Sequence, residues 1–294
     1  MAQEKSKREI AIIPAYEPTK SFSEHASKLP QTATQLIAVI DGSGERFQSV
    51  FDEEEPKGFY GGFARFGRWL FRTFSPRYEA CVTQQREPVV YVCRHLNMHG
   101  PFTTLKWLPF HVHPMILHVY FDKEKTVKHM TEYTFSARYG KQPKKFSLAA
   151  HVMSWIAPPM MASLQGIPVY RNGISSISTL KAGLKYLLQA ESLIVYPDID
   201  YTGNYSKPSD IYDGFLMLGD MYRKKTGKDL RFVPLVIDDE RRCILEGNAI
   251  CVSDFRHECA GAADYLKRAI NKEGIHTLRC MRNGQRDTAR ERGT

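Results

Sequence analysis

Val92-Cys93-Arg94-His95-Leu96-Asn97-Met98-His99-Gly100-Pro101 is the stretch on which the reading of this chain turns. It closes the run Val89–Cys93, whose β-branched and aromatic content is that of a strand buried on both faces. The run breaks into Arg-His and then into Gly-Pro, so the strand ends in a turn. A histidine at the C-terminal end of a strand stands where open α/β sheets bind ligands. An ordinary imidazole pKa of about 6.5 suits general-base work. Taken alone, His95 also reads as a structural histidine.

Working outward, apolar runs at Met115–Phe121, Val169–Tyr170, Leu193–Tyr196, Phe232–Ile237 and Ala249–Val252 predict strands. Helical spacing covers Thr126–Phe135, Ser175–Gln189, Gly214–Lys224 and Gly261–Lys272. Strands that alternate with helices predict an α/β fold with a mainly parallel central sheet flanked by helices. Two features of this frame bear on chemistry. Gly166-Ile167-Pro168-Val169-Tyr170-Arg171 brings out an arginine just after a strand, and its planar fork of donors suits phosphate. Ser192-Leu193-Ile194-Val195-Tyr196-Pro197-Asp198 runs a strand into a rigid proline and then a carboxylate.

Phe59–Tyr78 is aromatic and basic, with Phe59, Phe63, Phe66 and Leu70 at helical spacing. One reading is a helix packed on the domain. The other is a helix lying in a membrane surface, rings in the acyl boundary and arginines at anionic headgroups. Phe146–Gly166 lacks formal charge, but Pro158 and Pro159 interrupt it. His151, Ser154 and Gln165 dilute it further, so a buried or interfacial segment is expected there, not a spanning helix.

The 294 residues carry 41 Lys+Arg against 32 Asp+Glu, a net charge of +9, which favours anionic partners. No nucleic-acid motif accompanies the charge, so nucleic acid is not expected as a partner. Six cysteines form no Cys-x-x-Cys pair and no signal peptide is evident, so reduced thiols are expected. Cys93, His95, His99, His111, His113 and His118 match no closed zinc spacing, and no metal is expected from them.

Taken in order, four blocks resemble the 1-acylglycerol-3-phosphate acyltransferase family over about residues 59–275: the histidine turn at His95, Gly166 to Arg171, Tyr196-Pro197-Asp198, and the Val233-Pro234 strand. The resemblance implies a glycerolipid acyltransferase. His95 would deprotonate a hydroxyl of a lysophosphatidic acid-like acceptor, which attacks the thioester of acyl-CoA or acyl carrier protein. Arg171 would hold the acceptor's phosphate. Asp198 would line the acceptor site, with Gly166, Asn97 and Pro197 among its substrate-binding residues. No cofactor is implied beyond the acyl donor, and the expected location is peripheral, on the cytoplasmic face of a membrane. Two positions depart from the family. Its Asp, five residues after the histidine, is Gly100, and its Phe-Pro-Glu-Gly block reads Tyr-Pro-Asp-Ile. In a serine-protease triad, loss of the corresponding aspartate costs about 10⁴-fold in rate, so weakened activity or a non-catalytic lipid-binding homologue follows as the alternative.

Residues 8–53 resemble the start of family-2 glycosyltransferases in Ile12-Ile13-Pro14-Ala15-Tyr16-Glu17 and Val39-Ile40-Asp41-Gly42-Ser43-Gly44. Asp198-Ile199-Asp200 is formally an Asp-x-Asp pair that can bind Mg²⁺ or Mn²⁺, which gives sugar transfer as a further alternative. The expected organisation is a partial glycosyltransferase-like strand–helix–strand unit at 1–55, an acyltransferase-like domain at 56–281 and a disordered tail at 282–294.

Overall fold

A computed structural model describes residues 60–134, 143–171, 175–199, 209–255 and 258–271. The glycosyltransferase-like unit at 1–55, Asp200 and the tail at 282–294 lie outside the described residues.

The strands are β1 (Glu79–Cys81), β2 (Val89–Cys93), β3 (His113–Leu117), β4 (Ile167–Val169), β5 (Leu193–Val195), β6 (Arg231–Asp238), β7 (Cys243–Glu246) and β8 (Ile250–Cys251). They form one sheet in the order β1-β7-β6-β2-β5-β3-β4, with β8 on β6. Every pairing is parallel except those of β7 and β8 with β6. The α/β fold with a mainly parallel sheet is therefore as expected from the sequence.

The core shows why β2 reads as a continuous apolar run. Val90 and Val92 pack on one face with Leu193, Val195 and Phe232. Val89, Tyr91 and Cys93 pack on the other with Ile194, Val233 and Leu235. A strand covered on both faces has no side that favours polar residues.

The helices are α1 (Gly62–Thr73), α2 (His99–Trp107), α3 (Lys123–His129), α4 (Pro143–Ser163), α5 (Ser175–Leu188), α6 (Met217–Thr226) and α7 (Cys259–Ile270). Two segments show the departures from expectation most clearly. The Met115–Phe121 run splits into β3, which starts earlier, and a 3₁₀ turn at His118–Phe121. Helix α4 continues through Pro158 and Pro159, which were expected to interrupt it. Among the described residues, no helix is long and apolar enough to cross a membrane.

Helix α1 is held from the inside. Its N-terminal amides meet α4, with Gly61 N–H donating to the Ser163 carbonyl at 2.8 Å and Ala64 N–H to Ser163 Oγ at 2.8 Å. Arg68 donates to the Lys106 and Leu108 carbonyls at 3.1 and 2.9 Å, and Arg72 to Lys106 at 2.7 Å. Both thereby satisfy the C-terminal carbonyls of α2, where cations are favoured. These two arginines thus tie α1 to the end of α2. The rings of Phe66, Trp69 and Phe74 are left facing outward, 57%, 62% and 82% exposed. Cys93, Cys243, Cys251 and Cys259 are free thiols, whereas Cys81 is disulfide-bonded, against the expectation of reduced cysteines throughout.

Candidate functional site

Because β2, β3, β4, β5 and β6 run parallel, the residues that leave their C-terminal ends share one rim of the sheet. His95 follows β2, Asp198 follows β5, Arg171 follows β4 and Asp239 follows β6.

The turn after β2 is strained. Leu96, Asn97 and Met98 are all left-handed, with φ of 43°, 55° and 75°. For residues with a Cβ this costs about 1–2 kcal/mol each. A carboxylate is buried beneath it. Asp198 is 1% exposed, and its carboxylate is approached by the backbone N–H groups of His95 and Leu96 and by the Arg94 side chain, whose Nε is 3.6 Å away. Burial nevertheless dominates and raises its pKa. Asp198 was expected to line an acceptor site. It lies buried beneath the His95 turn, and neither carboxylate oxygen has a hydrogen-bond partner among the described residues. Pro197 is likewise buried, its carbonyl accepting from Tyr212 N–H at 2.8 Å.

Gly100 is dictated by the same turn. A Cβ there would lie 1.7 Å from the Arg94 carbonyl oxygen, inside any van der Waals contact. The position from which the family's aspartate would reach the histidine is therefore closed to every residue but glycine.

His95 itself is half-buried, and its Nδ1 accepts from Met98 N–H at 3.3 Å. In the neutral ring the proton then sits on Nε2. Burial and, secondarily, the Arg171 charge push its pKa down from 6.5 to about 4. The ring is neutral at pH 7, but it can act as a base at Nε2 only after a tautomer exchange that releases Met98. That contact is long, and a hydrogen bond of this kind contributes about 0.5–1.5 kcal/mol, so the exchange is affordable.

Arg171 is exposed, its guanidinium 4.9 Å from the Tyr212 ring centroid. Its charge also depresses His129, after burial as the larger cause. His129 lines a cleft of about 230 Å³ with Val119, Lys125, Lys128 and Glu132. Arg171 thus acts on both His95 and a basic cleft at the same rim. Asn97 is exposed on the His95 turn. Gly166 is not at this rim: it precedes β4, where a Cβ would press on Ile116 Cδ1 at 3.0 Å, so it packs α4 against the sheet's opposite edge.

Sequence reasoning missed one histidine–carboxylate pair here. His99 Nε2 lies 2.9 Å from Asp239 Oδ1, and Tyr78 OH donates to the same oxygen at 2.7 Å. The sequence shows His99 only as one of a run of histidines, and 140 residues separate the partners. No protein-family model matches this chain, and neither a curated protein nor a solved structure gives a match.

Proposed function

We propose that this chain is a peripheral membrane O-acyltransferase that moves a fatty acyl group from a thioester donor to a hydroxyl of a phosphate-bearing glycerolipid. One observation carries the reading: Arg171 acts at once on a neutral His95 and on His129, which lines a cleft with the cations Lys125 and Lys128 and with Glu132. A neutral imidazole suits proton abstraction, and clustered cations suit a phosphate. The exposed rings of α1, with Met98 and Phe102 beside the turn, give an apolar surface next to the same rim. Such a surface suits a lipid interface.

A second reading, lipid binding without catalysis, is favoured by the closed position at Gly100 and by the Met98 amide on His95 Nδ1. Sugar transfer has less support, since Asp198 is enclosed with Arg94.

The test offers labelled acyl-CoA and lysophosphatidic acid in anionic vesicles to the purified chain. Transfer that falls about 10²-fold or more in His95→Ala supports the first reading. Vesicle and lysolipid binding with no transfer from acyl-CoA or acyl carrier protein supports the second. Loss with His99→Gln but not with His95→Ala would move the base to the His99–Asp239 pair. Sugar release from a nucleotide sugar, abolished by Asp198→Asn, would sink both.

A further inference from the structure

At the opposite edge of the sheet, a second cluster plays no part in the rim. His113 opens β3, Glu191 stands two residues before β5, and His111 lies just upstream of His113. Glu191 Oε2 is 3.3 Å from His111 Nδ1 and 3.3 Å from His113 Nε2. The three donor atoms all lie within 4.8 Å of one another.

The hydrogen-bond partners make this more than a polar knot. His113 Nδ1 lies 3.0 Å from the Gln165 carbonyl oxygen, which can only accept. Nδ1 therefore carries a proton, which leaves Nε2 as the ring atom directed at Glu191. The His113 side chain is completely buried. Its face is stacked on Tyr186 with centroids 3.7 Å apart, which fixes the plane. Nε2 is thereby held 3.3 Å from the carboxylate oxygen of Glu191. His111 is 6% exposed and meets Tyr60 edge to face, its Nδ1 turned to the same oxygen.

We propose that His111 Nδ1, His113 Nε2 and Glu191 Oε2 bind a divalent transition metal of the zinc class. Two imidazoles and a carboxylate form a donor set that zinc takes with a fourth position open to solvent. In a tetrahedral site with metal–ligand bonds of about 2.0–2.1 Å, neighbouring donors lie about 3.3 Å apart, as Glu191 lies from each histidine. The Gln165 carbonyl is the outer partner that orients a metal-binding imidazole and fixes its tautomer. Glu191 retains 22% of its side-chain exposure, which gives an entry path. The site joins β3 to the segment leading into β5 and lies away from His95, so it reads as a structural or regulatory metal centre, independent of the acyl-transfer proposal.

The experiment titrates Zn²⁺ into the full chain after dialysis against a chelator, by isothermal calorimetry, with folding checked by circular dichroism. One ion per chain is expected, with a dissociation constant in the micromolar range or tighter. Glu191→Gln, which keeps the shape, should weaken binding at least about 100-fold. His151→Gln, which removes an exposed histidine on α4, should leave it unchanged. Co²⁺ on the parent chain should give the visible absorption of a four-coordinate site, and X-ray absorption of the zinc form should show two imidazoles. These two readings need no variant and stand even if Glu191→Gln fails to fold. Absence of stoichiometric uptake by the folded parent, binding indifferent to Glu191→Gln, or a zinc shell without imidazole overturns the proposal.

Discussion

At the carboxyl rim, His95 rides on three consecutive left-handed residues, half-buried, with a buried acid beneath its backbone. At the amino edge, His113 is the first residue of a regular strand, its ring clamped between Tyr186 and the Gln165 carbonyl. Both imidazoles are depressed to a pKa of about 4, and burial is the first cause for each. The further contributions differ. At the rim, the Arg171 cation adds to the depression from the solvent side. At the edge, the fixed Gln165 carbonyl and Glu191 oppose it while His111 adds to it. The rim is a tense turn over a buried acid and open above, and the edge is held by packing on regular strands with one route in past Glu191. A strained and partly open turn is the commoner setting for chemistry on a substrate, and a rigid closed one for a bound ion.

The sharpest way to break this comparison is to add a single methyl group to the rim. Gly100→Ala sets a Cβ against the Arg94 carbonyl oxygen, 1.7 Å away, and neither is the end of a flexible side chain. The turn must move as a unit. A destabilisation of about 4 kcal/mol or more is expected, or failure to fold, read from urea unfolding. Gly100→Asp should fare no better, so restoring the family's carboxylate in sequence will not restore a dyad in space. Near-parental stability for Gly100→Ala would show that the turn is soft and remove the contrast with the edge.

That glycine also marks how far the sequence could be read. The buried strands were legible because burial on both faces leaves an uninterrupted apolar run, as in Val89–Cys93 and Phe232–Ile237. The short strands β1 and β7 were not, since Glu79–Cys81 and Cys243–Glu246 lie toward one side of the sheet with too few residues for a pattern. Helix α2 was hidden because it contains Gly100 and Pro101 and buries two threonines, so its inner face is not an apolar stripe. His95 and Arg171 were legible as residues leaving strands. The burial of Asp198 was not legible, because nothing in Tyr-Pro-Asp announces that Arg94 will be buried with it. His111, His113 and Glu191 could not be assembled at all: the carboxylate lies 80 and 78 positions beyond the histidines and becomes their neighbour only through β5 pairing with β3.

The next largest effect tests what holds the rim from below. Arg94→Met strips the cation from a fully buried Asp198 carboxylate, and removal of one partner of a buried pair costs about 3–5 kcal/mol. Adding Asp198→Asn to that background should recover a good part of the loss. The amide keeps the shape of the carboxylate but carries no charge into the interior. Urea midpoints of the two single variants and the double variant close the cycle. If the double variant is as unstable as the sum of the singles, Arg94 and Asp198 act separately and the turn is held by something else.

The smallest expected effect on stability is the most informative about the site. Arg171 is exposed, so Arg171→Gln should leave unfolding within about 0.5 kcal/mol of the parent. Its signature lies in the titration of His95. Burial is the larger cause of the depression and the Arg171 charge the second, so removing the charge should raise the His95 midpoint from about 4 without returning it to 6.5. The sign for stability follows from the same shift. In the unfolded chain His95 takes a proton as pH falls below about 6.5, whereas the folded chain resists until about 4. The neutral ring's contribution to stability is therefore whole above about pH 6.5 and drains away as pH drops toward 4. In Arg171→Gln that window should narrow from its acid side. Imidazole Cε1–H shifts followed by NMR from pH 3.5 to 7.5 give the midpoint directly. An unmoved His95 midpoint would mean that Arg171 and His95 do not share a cleft, and the rim would then lose the observation on which acyl transfer to a phosphate-bearing acceptor rests.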